Sequence, residues 1–111
     1  MNTGTPIYPL KDVTDLAKAR KVGFSSKALC DLVALGYTIE QARECISWIS
    51  ADEYWDPYDY GDKLKFDAYV TKHRGPDGVL REIYVKLKIP NPATIEQVYV
   101  TSFHEPEFPT L

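Results

Sequence analysis

KLKFDAYVTKHRGPDGVLREIYVKLKI, residues 63–89, decides how the chain is read. Leu64, Phe66, Ala68 and Val70 alternate with Lys63, Lys65, Asp67, Tyr69 and Thr71, the period of a strand with one buried face. Gly75-Pro76 and Asp77-Gly78 supply the special backbone angles of a turn. Alternation then resumes, with Ile83, Val85, Leu87 and Ile89 on one face and Glu82, Tyr84, Lys86 and Lys88 on the other. Asn91-Pro92 marks a second turn, and IEQVYVTSF sets Val98 and Val100 opposite Tyr99 and Thr101. The stretch therefore predicts an antiparallel meander over 63–72, 79–89 and 95–103. Leu64, Phe66, Val70, Ile83, Val85, Leu87, Val98 and Val100 are its expected core residues. The outer face would present Lys65, Asp67, Tyr69, Tyr84, Lys86, Lys88, Tyr99 and Thr101.

Upstream the period changes to that of helices. Leu10, Val13, Leu16 and Ala17 repeat at helical spacing after Pro9. Ser25 or Ser26 is placed to cap a second helix that carries Ala28, Leu29, Leu32, Val33 and Leu35 and stops at Gly36. Thr38 with Gln41 is a capping-box pattern, opening a third helix that buries Ile39, Ala42, Cys45, Ile46 and Ile49. Ser50 with Glu53 repeats the box before a short turn at ADEYW. Helices followed by a meander predict an α+β fold with the N-terminal helices packed on one face of the sheet. At 111 residues the chain has room for a single domain, 1–111, with EPEFPTL giving an extended tail over 106–111.

Composition narrows the function classes. The hydrophobic fraction of 44% and charged fraction of 26% are those of an ordinary globular domain. Eight tyrosines, four phenylalanines and two tryptophans exceed what so small a core needs, so some belong on the surface. Tyr54, Trp55, Tyr58 and Tyr60 read either as a loop over the sheet edge or as a docking surface for another chain. The net charge of −3 argues against a strongly basic nucleic-acid binder. Its distribution matters more: residues 11–27 carry +3, residues 28–62 carry −7 and residues 63–88 carry +4. Two basic blocks flank an acidic one, so a folded surface can hold a positive patch. The apolar runs are too short for a membrane span. MNTGTPIYPL lacks the pattern of a secretory leader, which with only Cys30 and Cys45 makes the cytoplasm the expected compartment. Both cysteines read as buried free thiols, with a disulfide in a secreted protein as the alternative.

Several chemistries find no support. Gly75–Gly78 lacks the lysine and following helix of a phosphate loop. His73 and His104 have no ligand-like partners, and Asp52, Glu53, Asp56, Asp59 and Asp62 lack the glycine and terminal glutamate of a calcium loop. No metal or cofactor is expected. Lysines interleaved with tyrosines on a sheet face suit single-stranded RNA, where ammonium groups meet phosphates and rings stack on unpaired bases. A solvated sheet face is the plain alternative.

In order and spacing, the segments resemble the MqsR family of toxins from bacterial type II toxin–antitoxin systems, from about Thr5 to Glu105. TPIYPLKDVTDLAKARKV resembles the family's opening, and SSKALCDLVALGYT its Ser-Ala-Leu helix with a closing leucine-glycine step. ISADEYWDP sits where the family has a Ser/Thr-x-x-Asp-Phe-Tyr-Lys segment. FDAYV, EIYVKLKI and VYVTSFHE resemble its Asp-Val-Tyr, Val-Tyr-Leu-Lys-Ile and Val-Ser-Phe-Lys-Glu strands. The resemblance implies a RelE-like fold and a metal-independent endoribonuclease that cleaves mRNA and is held by a cognate antitoxin from an adjacent gene. Tyr84 and Lys86 match the family's functional tyrosine and the basic residue two positions on. The family's lysine after Phe-Tyr falls on Asp56, its strand glutamine near Phe66 or Asp67, and its C-terminal lysine on His104. Other RelE-like toxins use a histidine near the end of this last strand.

Metal-free RNA cleavage needs a base for the 2′-hydroxyl, a cation for the phosphorane and an acid for the departing 5′-oxygen. His104, Tyr84, Lys86 and Lys65 are the expected catalytic set, because histidine is the side chain that titrates near neutrality. Lys63, Lys88, Arg81, Tyr69 and Tyr99 are the expected RNA-binding set, although Arg81 shares the parity of Ile83 and Val85. The competing expectation is a non-catalytic RNA- or protein-binding module that keeps the fold, since Asp56 stands where a lysine would attract the scissile phosphate.

Overall fold

The computed structural model describes residues 5–61 and 64–107. Three helices come first: α1, Leu10–Lys18; α2, Ser26–Ala34; and α3, Ile39–Ser47. The caps read from the sequence form. The Ser25 side chain accepts from the Ala28 amide at 3.1 Å. Thr38 and Gln41 exchange bonds of 3.2 and 2.8 Å, so two amide donors at the start of α3 are satisfied.

Five strands build one sheet: β1, Val22–Phe24; β2, Tyr54–Asp59; β3, Lys65–Arg74; β4, Leu80–Lys88; and β5, Val98–His104. Their order is β1-β5-β4-β3-β2. The meander β2-β3-β4-β5 is antiparallel, and β1 adds to β5 in parallel. The fold is therefore α+β with a mixed sheet, one antiparallel strand and one parallel strand richer than the sequence predicts. Three residues are too few for β1 to show a period. Pro57 in β2 reads as loop, yet β2 is the edge of the sheet, where a missing donor costs nothing. The last strand begins at Val98 rather than at 95, because Ile95 turns at φ 50.

Val13, Leu16, Ala17, Ala42, Cys45 and Ile46 from the helices pack on Ile83, Val85, Leu87, Val98, Val100 and Phe103 from the sheet. α2 also covers the β5 edge beyond β1. There Asp31 accepts the Phe103 amide at 3.1 Å, which occupies a donor that a free edge would expose.

The parity expected for β3 is wrong by one residue. Asp67, Tyr69 and Thr71 pair with Leu87, Val85 and Ile83 and lie on the helix side. Phe66, Ala68 and Val70 lie on the outer face with Tyr84 and Lys86, and Leu64 is exposed. The reason is Asp67. Its fully buried carboxylate accepts the amides of Ile7 and Tyr8 at 3.0 and 2.8 Å and the Tyr54 hydroxyl at 2.8 Å. Three donors make burial of this carboxylate tolerable and tie the N-terminal segment and β2 to β3. Ile39 and Cys30, both expected inside, are exposed, and Cys45 is buried. In the tail, Pro106 and Glu107 belong to no helix or strand, and 108–111 lie outside the described residues.

Candidate functional site

The outer face of the sheet gathers side chains from four strands. β4 contributes Tyr84, Lys86 and Lys88 at the two-residue spacing that keeps them on one side. β5 runs antiparallel beside it, with Tyr84 opposite His104 and Lys86 opposite Ser102. Simple alternation would put His104 on the helix side, because Val98 and Val100 face inward and share its parity. A bulge prevents this. Between Lys86↔Ser102 and Leu87↔Val100, β5 spends one residue more than β4, and Thr101 is the extra one. Its hydroxyl donates to the Lys86 carbonyl at 3.3 Å. Beyond the bulge the parity reverses, so Phe103 enters the core and His104 turns outward.

His104 stacks on Tyr84, with ring centroids 5.3 Å apart and planes 29° apart. The His104 Nδ1 lies 2.8 Å from the Glu105 carbonyl oxygen. A carbonyl only accepts, so in this bond Nδ1 carries a proton, and it is the neutral form of the ring that presents a lone pair at Nε2. Tyr84 is buried beneath this stack. Burial, then a hydrogen bond with Tyr58, and last the nearby Tyr58, Tyr60 and Asp56 groups push its phenol well above the ordinary tyrosine value. It is a neutral hydroxyl, and its ring has little face left for a base.

Lys86 extends toward β2. Its Nζ lies 5.4, 5.6 and 5.1 Å from the ring centroids of Tyr58, Tyr60 and Phe66, and Lys88 sits 5.4 Å above Phe66 as well. Ring faces attract ammonium groups electrostatically, at roughly 0.5–1 kcal/mol each where exposed. Among the described residues no carboxylate comes within 4.0 Å of the Lys86 or Lys88 ammonium. No described carboxylate competes with an anion for either charge at that distance. Asp56 lies on the same face, opposite Ala68.

His104, Tyr84, Lys86 and Lys88 thus come together. Other expected site residues do not. Lys65 lies on the helix-side face of β3, 3.9 Å from Asp59. Tyr69 is fully buried among core residues, in edge contact with Tyr54, so RNA cannot reach it. The β3 parity error accounts for both. Arg81 lies on the helix side, as its parity warned, and is held by Asp77 through bonds of 2.9 and 2.7 Å. That guanidinium holds the Asp77 carboxyl far below its usual range. Tyr99 pairs with Lys88 on the outer face, farther along the sheet from His104. Lys63 lies outside the described residues.

Tyr58, Tyr60 and Phe66 were not expected in the site. The signal for Tyr58 and Tyr60 was present in YWDPYDY, where Asp56, Tyr58 and Tyr60 fall two apart, but Pro57 and the acidic composition hid a strand, and Phe66 was missed through the β3 parity. Among the described residues no cluster of three histidine, cysteine or acidic side chains is arranged to hold a metal, and no helix is long and apolar enough to cross a membrane. No family model and no curated protein matches the sequence.

Proposed function

We propose that this chain is the toxin of a type II toxin–antitoxin system, related to the MqsR family and its RelE-like fold, and that it cleaves mRNA in the cytoplasm without a metal. The observation that carries the reading is the Thr101 bulge, which brings His104 against Tyr84 and within two strand positions of Lys86. His104 Nε2 takes the proton from the substrate 2′-hydroxyl. The 2′-oxygen attacks the adjacent phosphorus, and the bond to the 5′-oxygen breaks. Lys86 stabilises the charge of the phosphorane, Lys88 holds a neighbouring phosphate, and the departing oxygen takes a proton from solvent. Tyr84 fixes the imidazole by stacking. The products are a 2′,3′-cyclic phosphate and a 5′-hydroxyl.

The test is cleavage of a long unstructured RNA in EDTA, with end-group analysis. His104→Ala is expected to cost about 10²–10⁴ in rate. A requirement for added magnesium would refute the mechanism, and undiminished cleavage by the variant would refute the assignment of the base. A toxin must be restrained in its host, so the chain is expected to co-elute with the product of the adjacent gene when the two are co-expressed. One observation favours a non-catalytic binding module instead. Asp56 pairs with Ala68, which pairs in turn with Lys86, and a carboxylate on that face repels a phosphate. Harmless expression of the chain alone, with no cleavage and no co-eluting partner, would select that reading.

A further inference from the structure

The three rings around Lys86 lie on the side of the site away from His104, and they have an arrangement of their own. Tyr58 and Tyr60 are stacked, with centroids 6.2 Å apart and planes 20° apart. Tyr60 meets Phe66 edge-on at 6.1 Å. Tyr60 is 58% exposed although it belongs to this cluster, so an aromatic face stays open to solvent. The ammonium groups of Lys86 and Lys88 flank Phe66. Ring faces bordered by ammonium groups that form no ion pair among the described residues match the two halves of a nucleotide, a flat base and a charged phosphate. A purely apolar protein segment would match the rings but would bury the two lysines without a partner.

Lys86 now occupies ring faces that a base could use. A phosphate attracts an ammonium more strongly than a ring quadrupole does, because it carries a full charge. An arriving phosphate therefore draws Lys86 off the rings and uncovers the surface on which the attached base can stack. The step from Tyr84 to Lys86 is two strand residues, about 6.8 Å, so the nucleotide concerned neighbours the one held by His104.

We infer that Tyr58, Tyr60 and Phe66 form a stacking subsite for one unpaired RNA base, next to the scissile phosphate, with Lys86 exchanging its ring contacts for that nucleotide's phosphate. The inference rests on the ribonuclease reading only for which phosphate is cut. The strand then crosses the sheet from β5 toward β2, and double-stranded RNA, whose bases are already stacked, is not accommodated.

The test measures binding of the full chain to a single-stranded 2′-O-methyl oligonucleotide, which lacks the attacking hydroxyl, by fluorescence anisotropy. Tyr60→Leu is expected to weaken binding by about 5- to 150-fold, the range for loss of one base–aromatic stack. Tyr60→Phe keeps the ring and is expected to bind as wild type does. Phe66→Leu is expected to weaken binding in the same direction, and a duplex of the same sequence to bind without dependence on Tyr60. Wild-type affinity in both leucine variants would overturn the inference. So would equal losses for Tyr60→Phe and Tyr60→Leu, which would assign the effect to the hydroxyl. Oligonucleotide binding that ignores the rings, beside ring-dependent binding of the adjacent gene's product, would put a protein on this surface and overturn it too. Ring-dependent binding of the oligonucleotide by a wild type that cleaves nothing would support the subsite and remove the ribonuclease reading.

Discussion

Replacing Asp67 by alanine is expected to remove a large fraction of the protein's stability. The carboxylate is completely buried and accepts from Tyr8 N, Tyr54 Oη and Ile7 N. The first two bonds are buried and the third is part-buried. Alanine strands both buried donors. An unsatisfied buried donor costs about 1–3 kcal/mol, so the pair gives roughly 2–6 kcal/mol, while water can reach Ile7 and spare most of its share. The central value, about 4 kcal/mol, is a large part of the 5–15 kcal/mol typical of a whole domain. Near this chain length it lowers the melting temperature by about 15 °C. Asp67→Asn keeps one acceptor but turns an amide toward donors, and is expected to lose about half as much. Urea unfolding followed by circular dichroism measures both. Hydrogen exchange at Ile7 and Tyr8 should accelerate in parallel, because the N-terminal segment loses its anchor. A loss below about 0.5 kcal/mol for Asp67→Ala, at unchanged denaturant slope, would refute the account of why β3 turns Asp67 inward.

Two further outcomes follow from the fold. Burial lowers the His73 pKa, and Nδ1 lies 2.9 Å from the Tyr37 hydroxyl. The folded state therefore disfavours the imidazolium, so its stability contribution is complete above the unfolded pKa, about 6.5, and is lost as the pH falls below it. The urea midpoint should drop between pH 7.5 and 5.5 by more in the wild type than in His73→Phe, and equal drops would contradict this. Gly36 ends α2 at φ +79 with no atom within 4 Å of a would-be Cβ. Gly36→Ala is therefore expected to cost about 1–2 kcal/mol through backbone conformation alone, read as a fall in the urea midpoint.

Local signals were legible wherever residues a few positions apart decide the outcome. Thr38 and Gln41 box the start of α3, Gly36 closes α2, and 75–78 turn β3 into β4 because the required partners or angles lie within the same few residues. In the site, Tyr84, Lys86 and Lys88 were readable because β4 alternates cleanly, with an apolar set against a polar one. For β3 the alternation gave a period but no direction. Leu64, Phe66, Ala68 and Val70 look like the core set, yet the outer face buries Phe66 and Ala68 as well, with the Tyr60 ring and two lysine ammonium groups against Phe66. Phe66 and Ala68 are buried on that face, while Leu64 is exposed.

The sequence by itself determined the three helices and the hairpin after them, the helix caps and the inward set of β4, because these follow from short-range periodicity and hydrogen bonding. Tertiary structure alone decided three things. Asp67 meets partners 13, 59 and 60 residues away, and that long-range satisfaction chose the inward face of β3 against its hydrophobic pattern. Pairing with β3 made a strand of 54–59 despite Pro57. The extra residue at Thr101, which exists only as a mismatch in count between β5 and β4, turned His104 out of the core and onto Tyr84. A bulge is a property of two paired strands, so neither strand's sequence contains it alone.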